Sequence, residues 1–390
     1  MGKDFAISSS PSLEGWSLNQ QEIKDAGTYT LTAKNSDGTR TIEKEVTVEP
    51  AEISIASATV QDKTYDGTTD ATVGTVSFTG LVNGESLTLG EGYTATATFA
   101  DKNVDDSKSA TVTVALSDTV KNYTLASDGK TTTATAAIHP LPVVLNWGTI
   151  SFTYDGSEKT VTATVTNRVG EDEIILSYTG NTGTAVNSYT ATVTGLDNTN
   201  YTLDNATGTT QAWSIGEASI ADATVELSGT AFTYNGQSQK PTVTVKLGGK
   251  TLNAETDYDV DFGGDSINAG TYTVTVTGKG NYSGTASSKP SYTINKADQA
   301  ALSITSSGPA TFGQNYTLTT SGGSGSGAVT ITVSNGIGAA TVNGNILTPS
   351  KAGTVTVTAV KAGDNNYNDG TSVSVTTTPP FSGTSAATFP

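Results

Sequence analysis

Two short signatures return along the chain in a fixed order. Tyr-Asp/Asn-Gly stands at Tyr65-Asp66-Gly67, Tyr154-Asp155-Gly156 and Tyr234-Asn235-Gly236, spaced 89 and 80 residues apart. Asn-Tyr-Thr/Ser follows at Asn122-Tyr123-Thr124, Asn200-Tyr201-Thr202 and Asn281-Tyr282-Ser283, with a relative at Asn366-Tyr367. A third signature, Gly-Thr-Tyr-Thr, occurs at Gly27–Thr30 and Gly270–Thr273, with a looser copy at Asn187-Ser188-Tyr189-Thr190. Self-similarity at this period means a series of small domains, not one large core.

Proline and short acidic or lysine-bearing turns mark the ends of the repeats. They fall at Glu49-Pro50-Ala51, His139-Pro140, Gly216-Glu217-Ala218 and Asn295-Lys296-Ala297. The chain divides into a partial module at 1–50, modules at 51–140, 141–217, 218–297 and 298–378, and a tail at 379–390. Met1-Gly2-Lys3 lacks the apolar stretch of a secretion signal and reads as the start of a fragment of a longer protein. Linkers of two or three residues leave little freedom, so a semi-rigid, elongated array is expected.

Within the modules the period is two. Tyr272, Val274 and Val276 face one way and Thr271, Thr273, Thr275 and Thr277 the other. Val161, Ala163 and Val165 alternate with Thr160, Thr162 and Thr164, and Val355 and Val357 with Thr354, Thr356 and Thr358. Such rows, broken by Gly, Asn or Asp, signal antiparallel strands with one wet face. The expected fold class is all-β: tandem immunoglobulin-like β-sandwiches in an elongated array. Asp25-Ala26-Gly27-Thr28-Tyr29-Thr30-Leu31 has the form of an immunoglobulin F strand, and Asn268–Val274 repeats it. Tyr29, Tyr189 and Tyr272 are assigned to its tyrosine corner. Tyr272 is expected to be buried, with its hydroxyl on a backbone group near Asn268. Lys108 and Val355 stand at the matching positions of the second and fifth modules.

Composition narrows the chemistry. Among 390 residues there is no cysteine, and His139 is the only histidine. Disulfides, zinc–thiolate sites and cysteine nucleophiles are excluded, and a Ser-His-Asp triad would have to use His139. The net charge of −17 repels a phosphate backbone, so nucleic acid is not an expected partner. No 18-residue apolar run is present, so no membrane-inserted segment is expected in this fragment.

These motifs resemble the YDG and MBG repeats, bacterial immunoglobulin-like domains of large surface proteins. The second module carries the YDG-type opening Lys63–Thr69. The third has Trp147, Tyr154-Asp155-Gly156, Asn200-Tyr201 and Trp213-Ser214-Ile215; the fourth has Asp257-Tyr258, Asn268–Tyr272 and Gly278–Gly284. The fifth resembles a related repeat through Lys351–Thr354 and Ala362–Tyr367. The resemblance implies an extracellular stalk or adhesin segment on a bacterial, Gram-positive surface, and names no ligand.

Candidate sites are few. Trp147 and Trp213 fall where the repeat expects tryptophan and are read as core or wedge residues before sugar platforms; Trp16 lies outside any matched motif. The calcium candidates are Asp257 and Asp259, with Asp261 and Asp265 nearby, and Asp364 and Asp369, with Asn366 and Asn368 in the same loop. Neither group has calcium-loop spacing, and same-face carboxylates on a strand diverge, so solvated charge is the default reading. Glu171-Asp172-Glu173 is a short acidic turn with no pocket marked beside it, and Ser321–Gly327 is a flexible hairpin loop, since no Lys-Ser/Thr or helix follows to make a phosphate cradle. No catalytic residue or cofactor is assigned.

The leading expectation is a non-enzymatic, monomeric surface stalk or adhesin segment. The alternatives are capture of a host protein (an immunoglobulin among the possibilities) or a glycan by one or two modules, and the accessory region of a secreted carbohydrate-active enzyme.

Overall fold

The computed structural model describes residues 15–19, 23–82, 84–306, 309–370 and 373–377. The tail at 379–390 and the Met1-Gly2-Lys3 start lie outside the described residues. The described residues form strands and turns without a helix, and the modules are β-sandwiches in tandem.

The described chain falls into two units. The first holds the described residues of Met1–Ser151, Glu158–Gly183 and Ser188–Ser214. The second holds Phe152–Ser157, Thr184–Asn187 and the described residues from Ile215 onward.

In the first unit, the partial module is one antiparallel sheet of Trp16–Leu18, Gly27–Asn35 and Thr41–Val48, with Leu31 turned inward and buried. The second module has two sheets. One orders Tyr123–Leu125, Ala51–Val60 and Val73–Thr79; the other orders Lys63–Thr64, Thr131–His139, Asp105–Leu116, Tyr93–Phe99 and Asp70–Ala71. Alternation explains the core between them: Ala110, Val112 and Val114 of one strand are buried while the intervening threonines are exposed. Lys108, on the same buried row, is an exception that survives because its ammonium reaches Asp101 at 2.8 Å.

In the second unit, the fourth and fifth modules each enclose their own core, around Ile220, Val274, Val276 and Ile294 in one and Leu347, Val357 and Ala359 in the other. The row predicted for 271–277 holds: Val274 and Val276 are fully buried, and Thr271, Thr273 and Thr277 are exposed. The strand nevertheless breaks at Val274. Gly270–Thr273 pairs with Ser291–Asn295, and Thr275–Gly278 pairs with Tyr258–Asp261.

Not every pairing is antiparallel, as the alternating rows alone had suggested. The first strand of the second, third and fourth modules runs parallel to its Asn-Tyr segment, Ala51 pairing with Tyr123, Leu141 with Tyr201 and Ala218 with Tyr282, and a single parallel bridge joins Ala297, just ahead of the fifth module, to Tyr367. This places every Asn-Tyr motif at the edge where its module begins.

Candidate functional site: the module junctions

The Tyr-Asp/Asn-Gly turn is built the same way three times. The tyrosine N–H donates to the carbonyl that closes the module's last strand: Tyr65 to His139 O, Tyr154 to Gly216 O and Tyr234 to Asn295 O. The second residue's side-chain oxygen then accepts an N–H two residues on, from Thr68, Ser157 and Gln237. Gly67, Gly156 and Gly236 follow at φ of +79°, +84° and +80°, a region that costs other residues strain.

The ring of that turn meets the Asn-Tyr ring of the following module. Tyr65 lies edge-on to Tyr201 at 5.6 Å, Tyr154 to Tyr282 at 5.4 Å, and Tyr234 to Tyr367 at 5.4 Å. Gly67 is pressed so closely that a Cβ there would fall 2.6 Å from Val169 Cγ1.

The asparagine before the second tyrosine makes the other half of the contact. Its carbonyl accepts an N–H where its own module starts, from Ala51, Leu141, Ala218 and, one residue ahead of the fifth module, Ala297. Its Oδ1 reaches back 95–97 residues to a backbone N–H in the tyrosine-corner loop. Ala26 donates to Asn122 at 2.8 Å, Val104 to Asn200 at 2.9 Å, Val186 to Asn281 at 2.9 Å and Ala269 to Asn366 at 2.8 Å. Nδ2 of Asn122, Asn200 and Asn366 donates onward, to Asp25, Asn103 and Asn268. A carboxamide does this because it carries an acceptor and donors on one planar group.

The corner tyrosines pin the loops that present these N–H groups. Tyr29 donates to Asp25 O and Tyr272 to Asn268 O, each at 2.8 Å. Tyr272 is only half-buried, not buried as expected: its ring stacks on Tyr292 at 5.4 Å while its hydroxyl also meets Asp265 at the surface.

In the first unit, Asp172 joins two of these rings. Its Oδ2 accepts both the Tyr65 hydroxyl at 2.7 Å and the Tyr201 hydroxyl at 2.9 Å, with the Lys102 ammonium 3.6 Å from the other oxygen. The Tyr65 hydrogen bond above all, with those of Tyr201 and the nearby ammonium, holds Asp172 below the usual carboxylate range. Burial, with the carboxylate beside them, pushes both phenols up. Within Glu171-Asp172-Glu173 the sequence carried no sign that the middle residue would be the acceptor.

The other candidate side chains have structural partners. Asp364 spends its carboxylate on four donors: the N–H groups of Asn366 and Tyr367 on one oxygen, the N–H and hydroxyl of Ser326 on the other. This lowers it to about 2, with the Ser326 N–H first among the causes. The same bonds tie down the Ser321–Gly327 loop, which was expected to be flexible. Asp369 accepts from Gly363 N, Asp257 from Asn253 N, and Asp259 pairs with Lys279 at 2.6 Å. Among the described residues no group of three or more His, Asp or Glu is placed to hold a metal. Trp213 is buried, stacked on Tyr189 at 4.5 Å, and donates to Gly180 O; Trp147 is half-buried and donates to Gly208 O. Trp16 is half-buried in its strand. His139 is 53% exposed beside Asp62. An open groove of about 550 Å³ runs along Ala163–Val165, lined also by Arg168, Ile174 and Tyr178.

Comparison with known proteins agrees with the repeat signatures. Residues 49–135, which take in most of the second module, match the family model of the YDG domain. No curated protein matches the chain. Among solved structures it is similar to the protocadherin GammaB4 extracellular domain (11% identity, 91% of this chain and 70% of that one, TM-score 0.22). It is also similar to domains 1–6 of the surface layer protein SbsC (16% identity, 84% and 54%, TM-score 0.19). A third is the N-terminal eight immunoglobulin domains of Down Syndrome Cell Adhesion Molecule (14% identity, 92% and 59%, TM-score 0.19). The chain thus spans less than two thirds of the last two.

Proposed function

We propose that this chain is a non-enzymatic segment of a bacterial cell-surface stalk or adhesin, working outside the cell as a monomer. The observation that carries the reading is the junction: one carboxamide-to-backbone bond, made four times with the same atoms. A series of sandwiches joined in this way holds its neighbours in register without cysteine or a cofactor. The acidic surface opposes self-association. Protease treatment of intact producing cells should release peptides of this chain; peptides appearing only after lysis would overturn the location. Turnover of a polysaccharide, peptide or ester that is lost on changing His139 or an acidic pair would overturn the non-enzyme reading.

A binding role has one observation in its favour, the groove beside Arg168 and Tyr178. Tyr178 bonds both the N–H and the carbonyl of Ala163, each at 3.1 Å, which blocks strand addition at that residue. Any ligand there would be held by side chains, as a glycan or a peptide loop would be. Arg168→Ala should abolish capture on a glycan array or by host serum proteins, if the groove is the site.

A further inference from the structure

The fifth module repeats the parts of a junction on its far side. Thr311-Phe312-Gly313-Gln314 matches Thr233-Tyr234-Asn235-Gly236-Gln237 less one residue, and Gly313 has a φ of +74° against +80° at Gly236. Lys351-Ala352-Gly353-Thr354 aligns with Asn268-Ala269-Gly270-Thr271, so the Ala352 N–H stands where Ala26, Val104, Val186 and Ala269 donate to an asparagine. The pieces are neighbours: Gly313 N donates to Pro349 O, three residues before Ala352, and Gly338 N donates to Thr354 O.

What differs is cover. Tyr65, capped by Tyr201, is 2% exposed, whereas Phe312 is 61% exposed and Ile337, beside Gly338, is 77% exposed. Phe312 holds the sequence position at which Tyr65, Tyr154 and Tyr234 each meet an Asn-Tyr ring. We propose that this end of the fifth module is a docking face, and that its occupant is the Asn-Tyr edge of another immunoglobulin-like module of this kind. The occupant's asparagine oxygen takes the Ala352 N–H, and its tyrosine lies against Phe312. Lys351 stands where Asp25, Asn103 and Asn268 accept from the carboxamide Nδ2, and an ammonium cannot accept, so the face keeps the Ala352 bond without this second one. The inference stands whether or not the chain is a surface stalk.

The test appends a second copy of residues 296–377 directly after Thr377, beside a reference chain that ends at Thr377. Covalent attachment supplies the effective concentration that a single small interface needs. Hydrogen exchange at the Ala352 amide should slow at least about tenfold in the extended chain. The slowing should be lost with Asn→Ala at the appended copy's equivalent of Asn366, and reduced with Phe312→Ser. Equal exchange in extended and reference chains overturns the proposal, as does an attached copy that fails to fold, because a docking face stabilises its occupant. Slower Ala352 exchange in the full chain than in the reference would make residues 378–390 the occupant, and the proposal would fall.

Discussion

At Asn366 one residue meets three others: Oδ1 accepts from Ala269, Nδ2 donates to Asn268, and the carbonyl accepts from Ala297. Asn366→Ala leaves the part-buried Ala269 N–H without an acceptor, at about 1–2 kcal/mol. Exchange of the Ala269 amide should accelerate, while Val274 and Val276, in the core, keep their protection. Asn366→Asp restores the acceptor but sets a carboxylate against the Asn268 oxygen, and should recover only part of the loss. Tyr272 acts on the same loop from within the fourth module. Tyr272→Phe removes the hydroxyl from Asn268 O and should speed Ala269 exchange with little change in melting. Tyr272→Ala also removes the ring stacked on Tyr292. Since that ring is half-exposed, the cost should be about 2–3 kcal/mol, less than a fully buried tyrosine would lose. Thr273→Ala, on the wet face, should cost under about 1 kcal/mol. Equal melting of Tyr272→Ala and Thr273→Ala would refute the facing drawn for this strand.

At the scale of elements, the Tyr-Asp-Gly turn and the Asn-Tyr segment are two halves of one contact, and around Asp172 that contact has a pH range. The carboxyl is depressed in the folded state, so its contribution is complete above the ordinary value near ~4 and is lost as pH falls through the folded value. The phenols of Tyr65 and Tyr201 are raised, so theirs is complete below about 10 and lost as pH rises through the folded values. The Val169 amide, which donates to the Tyr201 hydroxyl, should stay protected across the interval and lose protection, relative to intrinsic exchange, beyond either edge. No loss at the alkaline edge would mean the hydroxyls do not hold this contact. The strands were legible because alternation is a local property: Val274 and Val276 declare their side within three residues. The partnership of Tyr65 with Tyr201 was not, since 136 residues separate them and each motif by itself looks like a turn or a strand start. Asp364 misled for a related reason. A carboxylate among asparagines has the same composition whether it faces a cation or its own chain's N–H groups.

Over the whole molecule, the cores do not follow the repeat boundaries. The second and third modules share one continuous cluster, which takes in Tyr65, Val112, Ile138, Val143, Val193 and Tyr201, with Val169 packed against it. The fourth and fifth modules have clusters of their own. Residues in one packed cluster couple energetically, whereas separate clusters unfold as separate units. The second and third modules should therefore lose protection together on heating or in denaturant, with peptides 105–116 and 187–196 exchanging at one midpoint, while the fifth module has its own. Asp172→Ala takes the shared acceptor from two tyrosine hydroxyls without entering either core. It should weaken the coupling by about 2–4 kcal/mol, taking charged hydrogen bonds at 1.5–3 kcal/mol and allowing for non-additivity. The common midpoint should then split in two, and the fifth module's should not move. If peptides 105–116 and 187–196 already differ in the unsubstituted chain, the shared cluster is contact without cooperation, and each repeat folds alone as its boundaries suggest.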